Sequence, residues 1–178
     1  MKRYAERGFT LVEIMIVVAI IALLAAIAIP NVLRGRTTAN ETAAIGNLRA
    51  LISSQEMFRS VNSKYTKDTS WVANMITVTP AFAPLSFNIN MTGETVQGYM
   101  YSYLALPTTC ADANNDCSQY ALTAVPQTLN QTGTRSFFAN ESGTIRHCLG
   151  SAANLTQAVA NTMVNKSTID QTPSANCT

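Results

Sequence analysis

From Phe9 to Ile29 the chain reads FTLVEIMIVVAIIALLAAIAI, 21 residues containing one ionisable group, Glu13. Coiled as a helix this run spans about 31 Å, against a bilayer hydrocarbon core of about 30 Å. Lys2, Arg3 and Arg7 precede it, a placement that keeps the N-terminus cytoplasmic, although Arg34 and Arg36 follow and make the asymmetry modest. Two ordinary accounts fall short. A secretory signal peptide has a small-residue cleavage site of the Ala-x-Ala kind after a short apolar core, a layout this 21-residue run does not follow. A plain membrane anchor leaves Glu13 unexplained, because a carboxylate in lipid is costly and marks a function with a partner to be named.

Charge narrows the function further. Charged residues make up 12% of the chain, about half the ~25% of soluble domains. The net charge of +2 resides in the first eight residues, and the rest holds nine basic and nine acidic side chains. Without a polycationic face there is nothing to release counterions from DNA, so nucleic-acid binding gains no support. No nucleophile motif, phosphate loop or ligand cluster is legible, and the lone His147 reads as a strand residue; no enzyme activity and no cofactor are expected.

The segment Arg7-Gly8-Phe9-Thr10-Leu11-Val12-Glu13, the apolar run behind it and its end at Ile29-Pro30 resemble the type III signal of type IV prepilins and pseudopilins. The resemblance is strong over about residues 7–60. It implies a leader of residues 1–8, cut after Gly8 by a prepilin peptidase that also methylates the new amine at Phe9. It also implies that Glu13 meets a neighbour's N-terminus in a helical homo-oligomeric filament, drawn from an inner-membrane pool by membrane assembly machinery. The electrostatics agree: an α-ammonium at Phe9 lies four residues from Glu13, at the positive end of the helix dipole. An intermolecular pair turns the cost of a lone carboxylate into a force for register.

Beyond residue 30 the pattern stays helical. Ile45, Leu48, Leu51, Ile52, Phe58 and Val61 form one apolar stripe. The expected organisation is a membrane and filament-core helix over 9–30, an amphipathic continuation over 31–62, about 80 Å of helix in all, and a head over 63–178. Pro30, Gly35 and Gly46 weaken the rod, and Pro30 is its candidate break, either a bend or a site of local unwinding.

The head reads as an antiparallel meander of four strands, around Tyr99–Leu104, Tyr120–Ala124, Arg135–Ala139 and Gly143–Leu149. Residues 63–97 read as an irregular connection with a short strand near Met75–Thr79. One sheet face would cover the helix stripe and the other would meet solvent or a neighbour. The fold class is therefore α+β, a long N-terminal helix packed on a four-stranded antiparallel sheet. Cys110, Cys117, Cys148 and Cys177 allow three disulfide connectivities; Cys110–Cys117 across a short loop and Cys148–Cys177 pinning the tail are favoured over a zinc site. The second pair resembles the C-terminal disulfide loop of many pilins. A tail helix capped by Asn154, with Gln157 three residues on, is also expected.

Asp112, Asn114 and Asp116 make a weak calcium pattern, with Cys117 where a glycine should stand and Thr123 where a glutamate should, so a polar surface loop is the better reading and no metal is expected. Asn-x-Ser/Thr triplets at Asn40, Asn90, Asn130, Asn140, Asn154, Asn165 and Asn176 matter only in a cell with the relevant transferase. The expected function is a type IV pilus subunit on the cell surface, serving adhesion, motility or DNA uptake. The alternatives are a type II secretion pseudopilin in the periplasm, a minor pilin, and a membrane-anchored periplasmic domain that forms no filament.

Overall fold

The computed structural model describes residues 9–87, 92–106, 110, 117–150 and 167–168. One helix, α1, runs from Leu11 to Asn62, and the chain divides into two compact units between Arg36 and Thr37. In the first unit α1 is apolar all round as far as Ile29, and its large hydrophobic side chains are exposed. Its most apolar 18-residue window has a mean hydropathy of 3.0 and is 0% buried, which makes it long and apolar enough to cross a membrane. Lipid or other protein must cover it, and a helix suits lipid because it satisfies its own backbone polar groups. The helix continues through Pro30. Proline has no N–H to donate to the Ala26 carbonyl. One residue on, the Asn31 side-chain amide donates to the Ile27 carbonyl at 3.1 Å.

In the second unit the inward face of α1 is Glu41, Ala44, Leu48, Leu51, Ser54, Gln55 and Phe58. This corrects the expected stripe. Ile45 and Ile52 are only partly buried, and Val61 is 71% exposed. A pattern of apolar residues missed this face because three inward positions are polar. The Ser54 hydroxyl donates to the Ala50 carbonyl (2.8 Å), Gln55 accepts from the Thr66 N–H (3.4 Å), and Glu41 is held by the sheet. At the end of the helix Ser63 takes a left-handed conformation (φ 60°), its N–H donates to the Arg59 carbonyl, and the Asn62 amide donates to the Phe58 carbonyl.

The connection that follows is irregular but well packed. It contains short 3-10 turns at Asp68–Ser70 and Leu85–Phe87 and a π turn at Val72–Ile76. That turn replaces the short strand expected near Met75–Thr79. Met75 and Ile76 are both buried, which a one-sided strand does not allow, and the Met75 carbonyl accepts from the N–H groups of both Phe82 and Ala83. Trp71 is fully buried with its indole N–H on the Phe87 carbonyl at 3.0 Å.

The sheet has six antiparallel strands in sequence order: β1 Thr92–Val96, β2 Tyr99–Leu106, β3 Gln119–Pro126, β4 Arg135–Asn140, β5 Arg146–Leu149 and β6 Ser167–Thr168. The four expected strands form its centre, and β1 and β6 add one edge each. Both edges lack a sequence signal. β1 reads Thr-Gly-Glu-Thr-Val with an irregular register, and β6 is two residues long. β1 turns into β2 through Gln97 and Gly98, both at positive φ, the two-residue hairpin geometry that matches strand twist. Tyr99, Tyr101 and Tyr103 of β2 point into the core with Leu48, Leu51 and Phe58. The opposite sheet face, expected to meet solvent, is closed at its centre: Ala121, Thr123 and Val125 of β3 are buried there, and Phe138 stands opposite Thr123. The tail helix capped by Asn154 lies outside the described residues.

Truncating a stripe residue separates the two readings of the helix face. Leu51→Ala should destabilise the chain by about 2–4 kcal/mol, whereas Val61→Ala should change stability by less than about 0.5 kcal/mol. Urea unfolding followed by Trp71 fluorescence measures both.

Candidate functional site

Polar side chains gather at two places along α1, its N-terminal turn and the joint where it meets the sheet. Thr10 precedes the first helical residue and Glu13 stands three residues on. The Glu13 carboxylate accepts the Thr10 N–H and the Thr10 hydroxyl, each at 2.8 Å, while the Glu13 N–H donates to the Thr10 hydroxyl oxygen at 3.3 Å. This is a capping box, in which two otherwise unpaired N–H groups and a carboxylate satisfy one another. It lowers the cost of carrying an acid at the head of an apolar helix. One carboxylate oxygen takes both Thr10 bonds, and Phe9 beside the box is 84% exposed. The Thr-x-x-Glu spacing just ahead of an apolar run is legible in sequence, and it assigns Glu13 a role within its own helix as well as the expected role between copies. Gly8 lies outside the described residues.

At the joint, Glu41 of α1 is buried and takes four hydrogen bonds from the start of β4. The Thr134 N–H and hydroxyl donate to one oxygen at 2.8 and 2.7 Å, and Arg135 Nε and Nη2 donate to the other at 2.9 and 2.7 Å. Burial pushes the Glu41 carboxyl up, but Thr134 and Arg135 together outweigh it and hold the group below the usual carboxylate range. Asn40 adds a bond to the Thr132 carbonyl at 3.0 Å, and Asn47 one to the Tyr101 hydroxyl at 3.0 Å. The Tyr99 hydroxyl donates to the Arg135 carbonyl at 2.9 Å. Burial and the Glu41 charge both push the Tyr99 phenol up, and burial pushes Tyr101 to about 12, so both hydroxyls stay protonated. Gly133 leaves room for the Tyr99 ring, which a Cβ there would overlap. Its spacing of three from Ala44 and seven from Leu48 puts Glu41 on the inward face.

Cys110 and Cys117 form a disulfide with Cα atoms 5.1 Å apart. The Cys117 carbonyl accepts the Tyr65 N–H at 3.0 Å, tying this loop to the chain just after α1. Cys148 is disulfide-bonded, and Cys177 lies outside the described residues. Asp112, Asn114 and Asp116 also lie outside them. Among the described residues no group of three or more His, Cys, Asp or Glu is placed to hold a metal ion. His147 is a buried residue of β5, its ring 6.5 Å from that of Phe137.

Residues 3–29 match the family model of the prokaryotic N-terminal methylation motif. The chain is 42% identical over 76 residues to the type IV wide pilus major component PilA4 of Thermus thermophilus, covering 42% of this chain and 58% of that one. It is 50% identical over 61 residues to the type IV major pilin protein PilA of Myxococcus xanthus, covering 34% and 28%. Its N-terminal segment is that of a type IV pilin-like prepilin. It is also 32% identical over 88 residues to the type II secretion system core protein G of Escherichia coli, covering 49% of this chain and 60% of that one. The matched segments thus span between about a quarter and three fifths of these relatives' lengths. No solved structure matches the chain. The relatives matched over these segments thus include both pilus components and a type II secretion core protein.

The Glu41 joint makes this prepilin acid-sensitive. Because the folded carboxyl titrates below its unfolded value, its stabilisation is complete above the ordinary carboxylate pKa and is lost as pH falls through the folded one. Glu41→Gln should cost about 2 kcal/mol near pH 7. Urea unfolding at stepped pH should show the wild-type advantage shrinking toward zero below pH ~4.

Proposed function

We propose that the chain is the structural subunit of a type IV pilus. It is made as an inner-membrane precursor, cut between Gly8 and Phe9 by a prepilin peptidase, N-methylated at Phe9, and assembled by membrane machinery into a helical surface fibre for adhesion, motility or DNA uptake. One observation carries the reading: among the described residues, the large hydrophobic side chains of the apolar half of α1 are exposed along its length. Lipid covers it before assembly, and in a filament the same helices cover one another. The polar joint at Glu41 holds the head on the remainder of α1 while the first half stays available to neighbours.

Glu13 supplies the register. Its capping box with Thr10 satisfies one oxygen, and the methylated ammonium of a neighbouring Phe9 is the cation that completes the pair. The eight-residue leader would block that amine, so processing and assembly are coupled. The head contributes a surface of low charge, consistent with close stacking of copies.

The similarity to type II secretion core protein G supports a second reading, a pseudopilin of a short periplasmic filament. Sheared surface fibres examined by electron microscopy and mass spectrometry decide between them. The pilus reading expects fibres composed of this chain and beginning at N-methylated Phe9; the chain confined to the periplasm overturns it. Glu13→Val should leave the chain folded and inserted while cutting fibre yield by about tenfold or more, the scale of one lost charge-assisted pair. An anchored domain that forms no filament would tolerate that change.

A further inference from the structure

Among the described residues, strands β2–β5 and the loops between them leave two large apolar side chains exposed, and both stand at the end of the sheet where α1 enters. The strands alternate in direction, so β2 and β4 begin at that end while β3 and β5 finish there. Glu41 binds Thr134 and Arg135, which sets this end beside the start of the packed helix. Leu149, opposite Arg135 in register, is 43% exposed, and Leu129 in the β3–β4 loop is 40% exposed. One exposed leucine is ordinary; two at the same end, next to a run of membrane length, form a surface.

The loop that carries Leu129 is closed on itself. The Gln131 and Thr132 N–H groups donate to the Thr128 carbonyl at 3.1 and 2.9 Å, and the Asn130 N–H donates to the Gly133 carbonyl at 2.8 Å. The Gln127 N–H ties the loop to the Gly98 carbonyl at 3.0 Å, and Asn40 of α1 donates to the Thr132 carbonyl at 3.0 Å. Partnered backbone groups lower the cost of entering a medium poor in water. Over residues 95–99, 125–135 and 148–150 the one charged side chain is Arg135, paired with Glu41 at 2.7 Å. Lys64 and Glu141, after the ends of α1 and β4, lie toward the opposite end.

We propose that before assembly this end of the head rests on the bilayer surface, with Leu129 and Leu149 in the interfacial layer. The proposal rests on the lipid stage of the pilus reading. Chain length brings the surface close to lipid, because about 10 Å of helix separates Leu33 from Asn40. The polar layer of one leaflet fills about 5–8 Å of that. From Phe9 to Leu33 the helix is about 37 Å long against a hydrocarbon core of about 30 Å, and a stretch too long for its bilayer tilts. Tilt draws the joint closer to the surface. An uncharged loop bearing leucines meets that layer at little cost in desolvation, so the contact is a second, shallow hold on the membrane, released when the subunit joins a filament.

The test is quenching by lipid, on the full chain in nanodiscs of phosphatidylethanolamine and phosphatidylglycerol. Val17→Cys, Leu129→Cys and Val61→Cys are each labelled with nitrobenzoxadiazole, and lipids carrying a nitroxide are added. Trp71 fluorescence checks that each head is folded. The label at position 129 should lose about half its emission and the label at position 61, about 30 Å farther along the helix than Asn40, less than about a tenth. Leu149→Asp should cut the quenching at position 129 by about twofold. Quenching at position 17 with none at position 129 overturns the proposal and leaves the pilus reading intact. Equal quenching at positions 129 and 61 overturns it as well, because the contact then has no preferred end. A blue shift at position 129 that grows with the number of chains per disc, without quenching by lipid, assigns the surface to a second copy and overturns it. No quenching at position 17 fails the lipid stage itself, and the proposal with it, whereas a failed search for fibres leaves the contact intact.

Discussion

A long apolar stretch of helix whose side chains stand exposed is the constraint on which the rest of the structure depends. From Leu11 to Leu33 large hydrophobic side chains stand more than half exposed on all sides. Apolar burial stabilises at about 25 cal/mol per Å², so leaving this much aliphatic surface in water is untenable. A bilayer supplies cover to one chain at a time; a bundle of copies supplies it to many. The same surface thus suits both stages of a pilin's life. The low charge of the chain and the single acid at the head of the run belong to this constraint.

The second unit solves a different problem, attaching a folded head to one end of such a helix without using its apolar half. The inward face of α1 there is mixed. Leu48, Leu51 and Phe58 meet the tyrosines of β2, while Glu41, Asn40 and Asn47 bind the sheet through hydrogen bonds. Directional contacts at the start of the packed region fix helix register against the sheet in a way that apolar contacts alone do not. Glu41 is held by Arg135 through two guanidinium nitrogens and by Thr134 through two further donors, so the buried charge is compensated.

Much of this was legible in the residues, for identifiable reasons. The helix was readable because its apolar run is long and its later pattern periodic, and the central strands because Tyr99, Tyr101 and Tyr103 alternate. The inward helix face was misread at Val61 and missed at Glu41, Ser54 and Gln55, because a polar residue looks solvent-facing until its partner, distant in sequence, is known. The edge strand β1 has no apolar alternation and carries Gly93 inside it, so it read as part of the irregular connection. Met75–Thr79 looked like a strand because a short apolar run fits both a strand and a tight helical turn. At the N-terminal turn, Glu13 was singled out from its cost in lipid, but its bonds to Thr10 were overlooked although the spacing was in view.

The central claim is that copies of this chain bury one another's N-terminal helices, with Glu13 paired across the contact. A helical reconstruction of the purified fibre, at a resolution that traces side chains, tests it most directly. The account predicts the Leu11–Leu33 helices at the fibre axis and each Glu13 carboxylate within hydrogen-bond distance of a neighbouring Phe9 amine. Helices on the fibre surface, or Glu13 carboxylates facing only their own Thr10, would contradict it.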